Sequence, residues 1–162
     1  MEERSVRRID GSVLHLGSYV GLPLLIVNTA CDGPFSDQFG GLQVLFEQFA
    51  PLGLEVLAFP SNDFGHEPRE GAALVRTVER RYGVTFTVCE KCHVTGPQAH
   101  PLWRELTTTG PERVRGPITH DFTKFLVDPD GDVVERLGPE VGPLDPRLAL
   151  RLQEALPTIT SG

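Results

Sequence analysis

The feature that most constrains the fold is an apolar run that leads into a polar loop and then into a helical pattern. The run is Leu24-Leu25-Ile26-Val27, which is typical of a strand buried on both faces. The loop holds Cys31, and Ser36, with Asp37 behind it, is predicted to be a helix N-cap. A thiol in this position lies near the positive end of a helix dipole, which favours the reactive thiolate form. We therefore predict that the chemistry of the chain lies in this loop.

Strand and helix patterns alternate along the rest of the chain. Apolar residues at helical spacing predict helices over 39–49, 72–82, 99–106 and 146–156. Apolar or alternating runs predict strands over 12–16, 24–28, 54–58 and 84–88. A hairpin is predicted over 122–137, where Pro129 and Gly131 supply the turn. This order predicts an α/β protein of thioredoxin-like fold, with a mixed central sheet and helices on both faces.

The composition limits the class of protein and its partners. The 162 residues are enough for one compact domain, and we expect residues 1–162 to form one. A formal net charge of -7, with no large cluster of Lys and Arg, argues against nucleic acid or an acidic membrane surface as a partner. The N-terminal residues lack the apolar core of a signal peptide, and no run approaches the roughly 18 apolar residues of a membrane span. We expect a cytoplasmic protein, and the sequence leaves its oligomeric state open.

Three cysteines in a reducing compartment are expected to be free thiols, metal ligands or a redox couple. Cys89 and Cys92, with His93 directly after them, match the pattern for covalent haem attachment. Such attachment normally takes place outside the cytoplasm, so we do not expect haem here. The plainest interpretation of Cys89 and Cys92 is two free thiols. A resolving role, in which one of them forms a disulfide with an oxidised Cys31, stays open.

Several separate segments resemble the glutathione peroxidase family, in the same order and with similar spacing over nearly the whole chain. These segments are residues 9–11, 24–30, 53–65, 82–86, 99–103 and 122–128. The resemblance implies a thioredoxin fold and, by default, an oxidoreductase of oxidative stress that reduces hydroperoxides. It also implies a peroxide substrate and a thiol donor, glutathione or thioredoxin, and it requires no cofactor.

The positions that carry the chemistry of this family differ from its pattern. Family members place a cysteine or selenocysteine in the first loop, with Gln, Trp and Asn around it. In this chain the nucleophile position falls on Gly33, and the nearby thiol is Cys31. His66 stands nearest to the position of the Gln, and the Trp-Asn pair is replaced by His120 and Asp121. The geometry of the family would bring Cys31 together with these two histidines and the aspartate.

Three functions are compatible with such a group of side chains. In the first, a protonated His66 or His120 lowers the pKa of Cys31, whose thiolate attacks a peroxide oxygen, and a histidine protonates the leaving hydroxide. In the second, Cys31, His66, His120 and Asp121 bind Zn²⁺ or non-haem Fe²⁺ in a repurposed metalloprotein. In the third, the pocket has lost its catalytic role and the chain is a binding module.

Overall fold

The computed structural model describes residues 4–156. Its strands are β1 (Ser5–Arg7), β2 (Val13–His15), β3 (Leu24–Thr29), β4 (Glu55–Pro60), β5 (Thr87–Val88), β6 (Lys124–Val127) and β7 (Val133–Leu137). Its α-helices are α1 (Gln38–Phe49), α2 (Gly71–Tyr82), α3 (Pro101–Thr108) and α4 (Pro146–Ala155). None of the helices in this part of the chain is long and apolar enough to cross a membrane.

The central sheet has five strands in the order β5-β4-β3-β6-β7. Strands β3, β4 and β5 are parallel to one another, whereas β6 runs antiparallel to β3 and β7 antiparallel to β6. Strands β1 and β2 form a separate antiparallel pair. The prediction of a mixed α/β sheet is therefore confirmed, and β1 is a strand that was not predicted from the sequence.

The core consists of two apolar layers, one on each face of the central sheet. Leu25 and Val27 of β3 face the layer formed with α1, α2 and α4. Leu24 and Ile26 face the layer formed with α3 and the β1–β2 pair. Because successive side chains of a strand point to opposite faces, β3 contributes to both layers, and all six of its residues are buried. This explains why its sequence is a continuous apolar run, and it confirms that helices cover both faces.

The helix starts follow the predictions in one case and depart from them in another. The carboxylate of Asp145 accepts a hydrogen bond from the N–H of Arg147, so the predicted N-cap of α4 is confirmed. Ser36 was expected to cap α1, but this helix begins at Gln38, so that prediction is wrong. The Ser36 hydroxyl is engaged elsewhere: it accepts from the N–H of Gly33 and donates to the carbonyl of Ala30, both at 2.7 Å. These bonds close the loop after β3.

The loops that follow β3 and β4 begin side by side. The two strands are parallel, with Thr29 paired with Pro60 at their carboxyl ends. Loops at the carboxyl ends of neighbouring parallel strands are where α/β proteins commonly place their binding residues. The site is therefore sought where these two loops meet.

Candidate functional site

Two hydrogen bonds fix the loop after β3 against the loop after β4. The N–H of Cys31 donates to Oε1 of Glu67 at 3.1 Å, and the N–H of Asp32 donates to the carbonyl of His66 at 3.0 Å. Glu67 is fully buried, so its carboxylate acts as an internal anchor between the loops. This anchor was not predicted, since its two partners lie 36 residues apart in the sequence.

A third segment, the turn before β6, is held in place by Asn28 at the end of β3. The Asn28 side chain donates to the carbonyl of His120 at 3.0 Å and accepts from the N–H of Thr123 at 2.8 Å. Its backbone carbonyl accepts from the N–H of Phe122 at 2.7 Å. Phe122 has a φ of 62°, which is uncommon for a residue with a side chain. Asn28 was not singled out from the sequence, although a buried amide at the end of an apolar strand is a signal of such a role.

The turn presents Asp121 to His66. Nδ1 of His66 lies 2.5 Å from Oδ2 of Asp121. The Asp121 side chain is 2% exposed and that of His66 is 36% exposed. Since a carboxylate only accepts hydrogen bonds, Nδ1 donates to it, and in the neutral form of the imidazole Nε2 is then an acceptor. Burial raises the pKa of Asp121, and the hydrogen bond with His66 opposes that rise.

The ring of His66 lies against Gly33. A Cβ atom placed on Gly33 would be 2.7 Å from Nδ1 and 2.9 Å from Cγ of His66. Side-chain carbons do not approach ring atoms so closely without displacing them. The imidazole therefore fills the space in which the glutathione peroxidase pattern places its nucleophile.

Cys31 is turned away from this pair and into the core. The residue is 2% exposed and belongs to the apolar layer beneath α1 and α2. Burial raises the pKa of the Cys31 thiol, and the carboxylate of Glu67 raises it further; Arg69 and Arg81 oppose the rise less strongly. The sequence predicted a lowered pKa for this thiol, and that expectation is wrong, because desolvation of the thiolate is the largest contribution and no histidine is among the causes.

An ion-pair cluster covers the outside of the same loop. Arg69 and Arg81 both reach Oδ1 of Asp32, at 3.0 and 3.2 Å. Arg81 also donates to the carbonyl of Cys31 at 3.1 Å. The hydrogen bond from Arg69 is the main reason that the pKa of Asp32 is lowered. The cluster holds the loop closed over the thiol.

His120 lies at the edge of the His66–Asp121 pair. Its side chain is exposed, its Nδ1 is 2.9 Å from the Thr119 hydroxyl, and its ring meets that of Phe35 edge-on at 6.5 Å. The charge of a protonated His120 lowers the pKa of Asp121, the residue that follows it in the chain. The structure thus brings His66 and Asp121 into direct contact, whereas the contacts of the His120 side chain are with Thr119 and Phe35.

The proposed metal ligands do not form a metal site. Within residues 4–156, no three His, Cys, Asp or Glu side chains are grouped so that they could hold a metal ion. Cys31 lies in the core, and the facing atoms of His66 and Asp121 are bonded to each other. The zinc or iron alternative is therefore not supported.

Cys89 and Cys92 lie on the other side of the central sheet from Cys31. Both pack in the layer beneath α3, whereas Cys31 packs in the layer beneath α1. The sheet separates the thiols, so a resolving disulfide with Cys31 would require the fold to open. In the described structure all three cysteines are free.

Comparison with known proteins agrees with the fold and with the resemblance. The family model described as glutathione peroxidase matches residues 1–107. The hydroperoxy fatty acid reductase gpx1 of Synechocystis sp. is 43% identical over 141 residues, covering 83% of this chain and 83% of that protein. A glutathione peroxidase of Lactococcus lactis subsp. cremoris is 38% identical over 140 residues, covering 86% and 89% of the two chains.

A solved structure extends the agreement to three dimensions. The crystal structure of T. cruzi GPX1 superposes with a TM-score of 0.75 at 29% identity, over 94% of each chain. The predicted thioredoxin-like fold is thereby confirmed. The chain belongs to the glutathione peroxidase family.

Proposed function

We propose that this chain is a glutathione-peroxidase-like protein that binds hydroperoxides at the His66–Asp121 pair and does not reduce them rapidly through a thiol. The observation that carries the proposal is the place of the His66 ring, which fills the space of a nucleophile at position 33. The ligand class is supported by a relative 43% identical to this chain, which is named a hydroperoxy fatty acid reductase.

The pair is suited to hold the O–H group of a hydroperoxide. Asp121 accepts from Nδ1 of His66 and so orients the ring, and Nε2 is then an acceptor for the hydroperoxide proton. The exposed His120 stands beside the pair and offers a further polar contact to the ligand oxygens. Binding of this kind needs no redox step.

Rapid reduction would need a thiolate at the same place. A thiolate is the nucleophilic form of cysteine, and it is formed readily only where its pKa is low. Position 33 has no side chain, and the pKa of the buried Cys31 is raised. The thiol of Cys31 is therefore protonated at neutral pH and faces the core.

The proposal is tested by nuclear magnetic resonance of the histidine side chains during titration with tert-butyl hydroperoxide. We expect a saturable shift of the His66 ring signals. His66→Ala lacks these signals, so binding there is followed by the backbone amide signals of Gly33 and Asp121: their saturable shift is lost in His66→Ala and kept in His15→Ala, which changes an exposed histidine on β2. A titration without saturation, or binding that His66→Ala leaves unchanged, would show that the pair is not the binding site.

A second candidate is peroxide reduction through Cys31, with His66, His120 and Asp121 assisting. It is favoured by Arg69 and Arg81, whose charges lower the pKa of Cys31 against the effect of burial. In this function a thiol donor such as glutathione or thioredoxin restores the oxidised thiol. Mass spectrometry after peroxide treatment decides between the candidates, because sulfenic acid at Cys31, formed faster than in a free thiol peptide, supports only the second.

A further inference from the structure

Cys89 and Cys92, in the segment that follows β5, pack in the same apolar layer although they lie three positions apart in the sequence. Residues three apart in a regular strand point to opposite faces. Here the N–H of Cys89 donates to the carbonyl of Ala58 at 2.8 Å, and the N–H of Cys92 donates to that of Pro60 at 2.9 Å. Three steps along the segment that follows β5 therefore match two on β4, so one extra residue is accommodated, as in a β-bulge. The bulge turns both cysteines into the layer beneath α3.

The same pairing sets the distance between the two cysteines. Their amides are anchored to carbonyls two residues apart on β4. A strand rises about 3.3 Å per residue, so the anchors lie roughly 6.6 Å apart. Disulfides join residues whose Cα atoms are about 4.4–6.8 Å apart. Both side chains also pack in the layer beneath α3.

One of the two thiols can be reached from outside. Cys89 is 1% exposed, whereas Cys92 is only partly buried and lines a cavity of about 360 Å³. The same cavity is lined by Arg7, Phe59, Lys91 and His100. A small oxidant that enters this cavity therefore reaches Cys92 before it reaches the buried Cys89.

We propose that Cys89 and Cys92 form a reversible disulfide with each other, a redox site on the opposite side of the central sheet from Cys31. This inference is independent of the hydroperoxide binding proposed for His66. The oxidant is a hydroperoxide, and its product is the alcohol or, from hydrogen peroxide, water.

The reaction takes place in two steps. The sulfur of Cys92, after losing its proton, attacks the outer oxygen of the peroxide; an S–O bond forms, the O–O bond breaks and the leaving alkoxide takes up a proton. The sulfur of Cys89 then attacks the sulfenic sulfur of Cys92, the S–O bond breaks, and the hydroxyl leaves as water with the Cys89 proton. Two electrons pass from the thiols to the peroxide. A thiol donor reverses the change by supplying two electrons.

The environment makes this site slow rather than catalytic. Burial raises the pKa of Cys89 and of Cys92 to about 12, so little thiolate is present at neutral pH. For the same reason the reduced form gains no stabilisation as a thiolate, and the disulfide resists reduction once it has formed. The disulfide is therefore expected to form during prolonged oxidation and to persist after it.

Peptide mapping tests the proposal on the full chain. The reduced protein is treated with hydrogen peroxide, its remaining thiols are blocked with N-ethylmaleimide, and it is digested with trypsin. Because trypsin cleaves after Lys91, a Cys89–Cys92 disulfide joins the peptides 82–91 and 92–104. We expect the joined peptides to appear with a mass about 2 Da below the sum of the two reduced peptides, and to separate again after reduction.

Variants separate this pairing from other oxidation. We expect the joined peptides in Cys31→Ser as in the wild type, and their loss in both Cys89→Ala and Cys92→Ser. Two separately alkylated peptides after prolonged oxidation of the wild type would overturn the proposal. So would a disulfide from Cys92 to Cys31 or to a second copy of the chain, or oxidation that stops at a sulfinic acid on Cys92.

Discussion

His66 occupies the space into which a side chain at position 33 would project. A Cβ on Gly33 would lie 2.7 Å from Nδ1 of the His66 ring. In the glutathione peroxidase pattern this position carries the sulfur or selenium nucleophile. The imidazole at position 66 and a nucleophile at position 33 therefore exclude each other in this structure.

Gly33→Cys alone is expected to destabilise the protein and to restore no peroxidase activity. The new side chain collides with the His66 ring, and overpacking of this kind costs about 1–3 kcal/mol. The free energy of unfolding in urea measures the cost. Gly40→Ala is the matched control: its Cβ has open space inside α1, so we expect a gain of up to about 1 kcal/mol. An unchanged stability of Gly33→Cys would contradict the exclusion.

Removing the histidine should relieve that collision. In Gly33→Cys combined with His66→Gln, the ring is replaced by the residue type that the family has near this position. We expect the double variant to reduce hydrogen peroxide with glutathione at least about tenfold faster than Gly33→Cys, because its thiol is no longer crowded. Equal rates in the two variants would show that something other than the ring prevents the chemistry.

Asp121→Asn should change which nitrogen of His66 carries the proton. The carboxylate can only accept, and so it holds the proton on Nδ1, whereas an amide can donate or accept. We expect the Nδ1–H signal in the nuclear magnetic resonance spectrum to be lost or to exchange much faster in the variant. Asp63→Asn, which changes the partner of His93, is the control and should leave the His66 signals unchanged.

Asn28→Ala should loosen the turn that carries Asp121. The substitution removes two side-chain hydrogen bonds and leaves the buried N–H of Thr123 without its acceptor. We expect a loss of about 2–3 kcal/mol in the free energy of unfolding, together with faster amide exchange at Thr123. Gln153→Ala, on the exposed side of α4, should change neither quantity. A loss below about 0.5 kcal/mol in Asn28→Ala would contradict the role of Asn28 as a clamp.

Lys124 should make the stability depend on pH. Its Nζ donates to the carbonyl of Phe122, and burial lowers its pKa from 10.5 to about 8. Between these pH values the unfolded chain keeps a proton that the folded chain has lost. The contribution of Lys124 to the free energy of unfolding therefore rises with pH, by at most about 3 kcal/mol in total.

The variant Lys124→Met is the control for this contribution. It lacks the Lys124 amine but keeps the three cysteine thiols, whose titration affects both proteins alike. Urea denaturation is measured at pH 8 and pH 10.5. We expect the stability of the wild type relative to Lys124→Met to increase between the two values. A constant difference would show that Lys124 is solvated in the folded protein.

Local signals were enough to predict most of the fold. The apolar run at Leu24, the stop at Gly83 and the turn at Pro129 and Gly131 each act through the conformational preference of a few neighbouring residues. The boundaries of β3, α2 and the β6–β7 hairpin follow these signals closely. The weakest strand, β5, has only two residues and depends on its pairing with β4.

The site was predicted less well because it depends on contacts between distant segments. The residues His66 and Asp121 were identified through the family pattern, and they do meet. The orientation of Cys31 follows from the buried Glu67, 36 residues away, and from the loop bonds of Ser36. Neither contact has a signature in spacing or composition, so the effect of burial on the thiol could not be predicted.

We propose that the loop thiol of Cys31 is not the functional centre, and the rate of peroxide consumption in the wild type and in Cys31→Ser tests this most directly. With hydrogen peroxide and glutathione under identical conditions, we predict the same rate for both proteins, no faster than for a free thiol peptide. A wild-type rate well above this level that Cys31→Ser abolishes would contradict the account and establish Cys31 as the peroxidatic thiol.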